Sequence, residues 1–556
     1  MCAVSNRPRY PGGTVSQSND EAPTGPIRGV PAAGPQVAGA PAPRRNVVAD
    51  LTAAVLLLAA ALLPWNLYFG IAIADSNTSV FAALIGVTLL SLIAIALPGF
   101  GRTVSGLRLA LNVPYLALVL AFVGFDGFET VRFGGTVTVP GGVGPGAWLG
   151  VAGALLSTQS GGYAAATDDD TADGRSRSAQ IIGYVSMLAA ASSVGFTLYW
   201  RVKYALGDAA GDFGKQNIAV IVTATVYGLV ALIAVLVASR WLLSGTRASR
   251  LATIALGAST LVAGIIVWLL PVGRDIDAFH GIAQNTSTAG VGFEGYLAWA
   301  AAAAIFVPRT LFGRARTVSS EEGAWRAAAR TGLLLIVIWS LGSVAMRITD
   351  LAVAVSLNYP YSRYDSVVLA VFDVATAALA SWLRINLGKA SASARLITTL
   401  SGLVATLSVS RVIVGVVLAP RFQEAPNAVQ NPVYGNDLAQ QITSTFDVVL
   451  SALAVCILVA AIITGHFSRL RRRRRAARRR AVAQHAEAPT THIPTGAPPA
   501  SADATTRIHT GESPTTAIPQ LAGAPRIFRG PENQDSASGQ LPIAKPQIYR
   551  PPHYPS

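Results

Sequence analysis

Residues 332–357 are GLLLIVIWSLGSVAMRITDLAVAVSL, an apolar run with Arg347 well inside it. A helix needs about 20 apolar residues to cross a hydrocarbon core of ~30 Å. A charge within that core costs at least ~2.5–3.5 kcal/mol, so such a residue faces the protein interior and finds a partner there. The run therefore predicts a transmembrane helix, and Arg347 marks where a polar site would lie.

Eleven further apolar runs of similar length predict an all-α polytopic bundle of about 12 spans. Only 13% of the residues are charged, about half the value of a soluble domain. Gln159 to Gly162 interrupt the fourth run, so ten or eleven spans is the open alternative. The predicted helices are 47–73, 80–97, 107–125, 146–166, 179–206, 218–239, 251–270, 290–307, 324–355, 367–383, 396–419 and 444–466.

The distribution of arginine and lysine predicts the orientation of the chain. Loops after even-numbered helices, counted with their edges, hold 15 of these residues, Arg108 among them, and loops after odd-numbered helices hold seven. Cytoplasmic loops carry the excess of positive charge. We therefore expect both termini in the cytoplasm and a location in the plasma (inner) membrane.

Composition divides the chain into four parts. A disordered N-terminal tail at 1–46 and a disordered Pro- and Thr-rich tail at 481–556 are expected, because neither holds enough apolar residues to form a core. The transmembrane domain is predicted at 47–466 and a polybasic segment at 467–480.

The polybasic segment is typical of a cytoplasmic flank, and it is also a candidate contact for anionic lipid. Nucleic acid is not predicted as a partner, because the net charge of +15 is concentrated here. The arginines proposed to contact lipid are Arg471, Arg472, Arg473, Arg474, Arg475, Arg478, Arg479 and Arg480.

Intramembrane charges form the candidate site. At 1.5 Å per residue, Arg347 lies ~13 Å and Asp373 ~9 Å from the outer ends of consecutive helices, which predicts an Arg347–Asp373 pair. The same argument pairs Arg411 with Asp447. Such a network either fixes the register of the helices or lines a path for a solute or proton.

An acidic residue follows phenylalanine at three predicted helix starts. The three dipeptides are Phe293-Glu294, Phe372-Asp373 and Phe446-Asp447. Their spacing suggests a repeated two-helix hairpin in the second half of the chain. Glu294 therefore joins the candidate network.

Enzymatic and metal signatures are missing from the sequence. Two cysteines at opposite ends of the chain cannot form a disulfide framework or a zinc cluster. We expect no cofactor, no metal and no catalytic residue. The stretch Glu129 to Val139 contains a Gly134-Gly135 pair and predicts a short outer hairpin.

The C-terminal tail repeats the pattern Thr-Thr-x-Ile three times. Threonine with an aliphatic residue three positions later resembles sites of bacterial Ser/Thr kinases, which implies a phosphothreonine-binding protein as a partner. Each phosphate would add about −1.5 to −2 charge near the arginine-rich segment. Low-complexity drift is the alternative. The candidate sites are Thr490, Thr491, Thr505, Thr506, Thr515 and Thr516.

Two stretches, Leu63–Phe69 (LPWNLYF) and Val143–Leu149 (VGPGAWL), together with the composition, resemble uncharacterised multi-pass membrane proteins of GC-rich actinobacteria. The resemblance implies no activity. Three classes of function stay open. They are a non-enzymatic envelope scaffold or accessory protein with partner-recruiting tails, a secondary transporter that uses the intramembrane Arg and Asp residues, and an enzyme acting on a lipid-linked substrate.

Overall fold

Twelve α-helices make up all the regular secondary structure in the described part of the chain, which confirms the prediction of an all-α protein. The computed structural model describes residues 46–66, 69–71, 73, 76–97, 102–132, 142–159, 172–207, 213–269, 291–312, 318–358, 363–389, 391–418 and 444–486. The helices are α1 (Val47–Leu62), α2 (Thr78–Ala96), α3 (Arg102–Arg132), α4 (Pro145–Ser157), α5 (Ala172–Gly207), α6 (Lys215–Leu243), α7 (Arg247–Leu269), α8 (Phe293–Phe312), α9 (Val318–Leu357), α10 (Arg363–Leu387), α11 (Ala394–Leu418) and α12 (Thr445–Ala486).

Nine of the helices within these residues are long and apolar enough to cross a membrane. The apolar parts of α1, α4 and α8 are shorter, at Val47–Leu62, Pro145–Ser157 and Phe293–Pro308. The 13 residues of α4 span only about 20 Å at 1.5 Å per residue. The helix predicted at 146–166 is therefore present but much shorter than expected.

Helix α4 lies in the protein interior, with every residue except Leu155 buried. Its glycines allow neighbouring backbones to approach closely. A Cβ at Gly146 would lie 2.7 Å from the Leu63 carbonyl oxygen, and one at Gly153 would lie 2.9 Å from Leu57 Cγ. Small residues thus let this helix pack against α1.

Helix α1 ends at Leu62, although the apolar run predicted a helix to residue 73. Proline disfavours helical backbone at the preceding residue and has no N–H to donate, so the helix stops before Pro64. The carbonyls beyond it find partners at the start of α4, where Gly146 N donates to Pro64 O at 2.8 Å and Gly144 N to Trp65 O at 2.6 Å. The two stretches quoted above, Leu63–Phe69 and Val143–Leu149, therefore pack against each other.

Helix α8 contains Pro308, which removes the hydrogen bond that Ala304 O would otherwise accept. Gln159, just beyond the end of α4, supplies the missing donor through Nε2 at 2.8 Å. A polar side chain that interrupts the fourth apolar run in the sequence thus completes the backbone of another helix.

An aromatic row connects α4 and α8 with α9 and α12. Ring centroids are 4.7 Å apart for Trp148 and Tyr296, 6.0 Å for Tyr296 and Trp299, and 5.7 Å for Trp299 and Phe446. Trp339 of α9 lies 4.6 Å from Phe446 in an edge-on arrangement. These tilted and edge-on contacts are the geometries that aromatic pairs favour, and they form the centre of the hydrophobic core.

Two segments differ from the sequence predictions. Residues 129–132 belong to α3 rather than to a hairpin strand, and the rest of the predicted hairpin, up to residue 139, falls largely outside the described residues. Helix α12 continues from the apolar run through the arginine-rich stretch to Ala486.

Chain contacts divide the protein into two compact units, Met1–Ala483 and Gln484–Ser556. Every helix above except the last turn of α12 lies in the first.

Candidate functional site: an arginine–aspartate network

Helix α9 carries a polar stripe on one buried face. Trp339, Ser343, Arg347 and Asp350 follow each other at intervals of three or four residues, and all four are buried. This spacing places them on one side of a helix. The stripe extends over about 16 Å of helix length, at 1.5 Å per residue.

Arg411 of α11 is the centre of the network. Its Nε donates to Asp373 Oδ1 of α10 at 3.0 Å, and its Nη1 lies 2.5 Å from Asp447 Oδ2 of α12. Its Nη2 donates to Ser343 Oγ of α9 at 3.0 Å. One guanidinium group therefore joins four helices, and only 5% of Arg411 is exposed.

Asp447 lies in the first turn of α12, where a carboxylate is favoured by the free backbone N–H groups and the helix dipole. Ser444 N donates to Asp447 Oδ2 at 2.9 Å, and Asp447 N donates to Ser444 Oγ at 3.3 Å. This reciprocal pair is a capping box. Trp339 Nε1 adds a donor to Asp447 Oδ1 at 2.7 Å, so both carboxylate oxygens are engaged.

Arg347 forms its ion pair with Asp350, one turn further along α9, at 3.4 Å. Tyr227 of α6 donates its hydroxyl to the other oxygen of Asp350. The predicted Arg411–Asp447 pair is present. Asp373, which we had paired with Arg347, is salt-bridged to Arg411 instead, because the α10 carboxylate and the α11 guanidinium face each other across the neighbouring helices.

Glu294 lies in the first turn of α8 and is buried. Its backbone carbonyl accepts a hydrogen bond of 2.5 Å from Ser186 Oγ of α5. The three Phe-acid dipeptides are not equivalent in the structure. Glu294 and Asp447 lie in first turns, whereas Asp373 lies ten residues into α10, so the predicted hairpin repeat does not describe the arrangement of these helices.

A second charged network joins the first four helices, and the sequence analysis missed it. Arg108, counted there as a loop cation, is buried inside α3 and pairs with Asp50 of α1 at 3.2 Å. Its Nη2 also donates to the carbonyls of Ile95 and Leu97, at the end of α2, at 3.3 Å each. Arg108 therefore caps a helix C-terminus as well as neutralising a carboxylate. Asp50 lies early in the first apolar run, and its position was the available signal.

The other predicted site residues, the tail threonines and the clustered arginines, have no described side chains. All six candidate phosphorylation threonines fall in residues 487–556, which the structure does not describe. The arginines between 471 and 480 lie in α12, and nothing is described of their side chains. Among the described residues, no group of three or more His, Cys, Asp or Glu side chains is arranged to hold a metal ion.

Comparison with known proteins gives a family and no function. Neither the curated proteins nor the solved structures contain a match to this chain. Residues 46–466, well over half of the sequence, match a family described as a domain of unknown function, DUF7937. The matched region begins at the residue that caps α1 and ends within α12, so it contains both buried charged networks. The chain therefore belongs to the DUF7937 family.

Proposed function

We propose that this chain is a multi-pass plasma-membrane protein without enzymatic activity, an envelope scaffold or accessory protein whose cytoplasmic tails recruit partners. The contacts of the Arg411 guanidinium group support this proposal most directly. Each of its three guanidinium nitrogens lies beside an acceptor of the protein itself, on Asp373, Asp447 or Ser343. A guanidinium group whose three nitrogens all lie beside acceptors of the protein favours a role in helix packing over a role in binding a solute.

Burial explains why such a network holds the helices rigidly. Removing one partner of a buried ion pair costs roughly 3–5 kcal/mol, because the other charge stays behind uncompensated. Arg411 and its two aspartates connect α10, α11 and α12, and Ser343 adds α9. Relative movement of any of these helices would break at least one charged contact, as expected for a scaffold.

The proposed topology places twelve apolar helices across or within the membrane, with both termini in the cytoplasm. The positive-inside excess supports this orientation. Reporter fusions near Arg314, in the connection between α8 and α9, and after Ser556 test it. Both reporters are expected to give the cytoplasmic signal, and an external signal at either position contradicts the proposed topology.

The tails are proposed to supply the interactions. The arginine-rich stretch would hold anionic lipid at the cytoplasmic face, where each basic residue contributes about 1 kcal/mol. The Thr-Thr-x-Ile repeats would be phosphorylated and bound by a phosphothreonine-binding protein. The actinobacterial resemblance is the reason for proposing this kind of kinase and reader.

Tail variants of the full chain test the scaffold proposal. Replacing all six threonines of the repeats with alanine should change the set of proteins cross-linked to the chain in native membranes and leave its unfolding curve unchanged. The matched control replaces Thr495 and Thr510, which lie outside the Thr-Thr-x-Ile pairs, with alanine. Identical cross-linked partners for both variants and the unmodified chain would refute recruitment by these sites.

A secondary transporter is the second candidate, and the polar stripe of α9 favours it. Buried ionisable residues within membrane-spanning helices commonly mark ion or solute pathways. The purified full chain in proteoliposomes should then show proton or solute flux that D447N abolishes. Proteoliposomes that stay as tight as protein-free vesicles under imposed pH and ion gradients support the scaffold.

A further inference from the structure

The buried network holds more acidic than basic groups. Around Arg411, two aspartates face one arginine, while Arg347 and Asp350 balance each other. A net charge left inside a protein of low polarity is costly, and such a site instead takes up a compensating charge. Among the residues that the structure describes, the Arg411 cluster therefore holds one more acidic group than basic group.

Hydrogen-bond donors are distributed unequally between the two aspartates. Asp447 receives donors from Trp339 and from Ser444 N, lies 2.5 Å from Arg411 Nη1, and caps a helix N-terminus. Asp373 receives one donor on each oxygen, from Arg411 Nε and from Ser343 Oγ. The ionised form of a carboxylate is favoured by donors and by a helix N-terminus, so Asp447 is the better choice for the charged partner of Arg411.

We propose that Asp373 is a binding site for one exchangeable proton, which it shares with Ser343. The Asp373 Oδ2 to Ser343 Oγ distance is 2.6 Å, which suits an O–H···O bond donated from either side. In the protonated state Asp373 donates to Ser343 Oγ. When the proton leaves to water, Ser343 donates to the carboxylate, and only O–H bonds form or break.

A separate feature of α10 points to the same place. Thr376, one turn after Asp373 on the buried face, is 4% exposed, and its Oγ1 has no hydrogen-bond partner among the residues that the structure describes. A buried hydroxyl without a partner is costly. Thr376 follows Asp373 by three residues, so the two side chains share one face of α10, and this hydroxyl is a candidate donor to the carboxyl group.

The charged groups around Asp373 come from every helix packed against it. Ser343 and Arg347 face it from α9, Arg411 from α11 and Asp447 from α12. Loss of the proton makes Asp373 and Asp447 compete for the single guanidinium of Arg411. The contacts between α10, α11 and α12 would then depend on pH, which goes beyond the proposed scaffold and does not require it.

Infrared spectroscopy of the full chain in lipid tests the proposal directly. The wild type at neutral pH should show the C=O stretching band of a protonated carboxylic acid, D373N should lose it, and D447N should retain it. Replacing Ser343 with alanine removes the hydrogen-bond acceptor of the acid, so the band should shift in frequency. This second variant keeps the test valid if D373N does not fold.

Unfolding as a function of pH gives an independent readout. A folded state that holds one more proton than the unfolded state loses stability as the pH rises, and the unfolding constant changes by roughly tenfold per pH unit. The wild type should show this slope and D373N should not. A band that persists in D373N, or equal slopes in both proteins, overturns the proposal. Stabilisation of the wild type by sodium relative to choline, lost in D373N, would instead identify a metal cation.

Discussion

Replacing Arg411 with glutamine is the most informative single change, because this side chain joins α9, α10, α11 and α12. Arg411→Gln removes two ion pairs, at 3.0 Å to Asp373 and 2.5 Å to Asp447. In the state proposed above, Asp373 already holds a proton and would lose a hydrogen-bond donor, so Asp447 alone would be left as an uncompensated buried charge. The cost for one broken buried pair is about 3–5 kcal/mol. With Asp373 protonated, we expect the variant to fall within that range rather than at twice its value.

The free energy of unfolding in mixed detergent micelles is the appropriate measurement. A loss of 3–5 kcal/mol corresponds to an unfolding constant raised by roughly 10²- to 10⁴-fold. Arg395→Gln, at the exposed start of the same helix, is the matched control and should change stability by less than about 0.5 kcal/mol. The double variant R411Q/D447N should recover part of the loss, because it no longer leaves the Asp447 charge buried. If R411Q is as stable as R395Q, the network does not hold the helices together and the reasoning fails.

Two further substitutions test other parts of the fold with the same unfolding assay. Gly150→Ala would place a methyl group against the Tyr115 side chain and should cost about 1–3 kcal/mol. The control Gly86→Ala, where a Cβ would meet no atom of the described residues within 4 Å, should be neutral or slightly stabilising. Arg108→Ala removes the partner of Asp50 and the donors to the end of α2 and should cost about 3–5 kcal/mol. Equal stability of G150A and G86A, or an R108A variant as stable as the wild type, would contradict the packing described here.

The all-α character of the described residues could be predicted because long apolar runs are visible in the sequence alone, and nine of the described helices are long and apolar enough to cross a membrane. Helix bounds were predicted less well where proline intervenes. The run at 47–73 stayed apolar past Pro64, so hydropathy extended α1 beyond its end at Leu62. The length of α4 was also overestimated, because an apolar run does not distinguish a helix buried within the protein from one that crosses the bilayer.

The sequence was a better guide to which residues lie in the charged network than to which of these residues pair with each other. Depth along each helix correctly brought Arg411 and Asp447 together. Depth does not specify rotation about the helix axis, and rotation decides that Asp373 faces α11. Arg108 was misplaced for a related reason. An arginine near the end of an apolar run is typical of a cytoplasmic flank, and only the positions of Asp50 and the end of α2 show that it is buried.

Some residues that interrupt an apolar run donate hydrogen bonds to backbone carbonyls of another segment. Gln159 appeared to weaken the fourth run, yet its side chain donates to Ala304 O, the carbonyl left free by Pro308 in α8. Gly144 and Gly146 likewise donate to the carbonyls of Trp65 and Pro64, just beyond the end of α1. Because unsatisfied backbone groups are costly away from water, short helices such as α1, α4 and α8 are tolerated inside this bundle only where such donors meet them. Gln159, Gly144 and Gly146 are therefore explained by the internal proline or the helix end of a different segment.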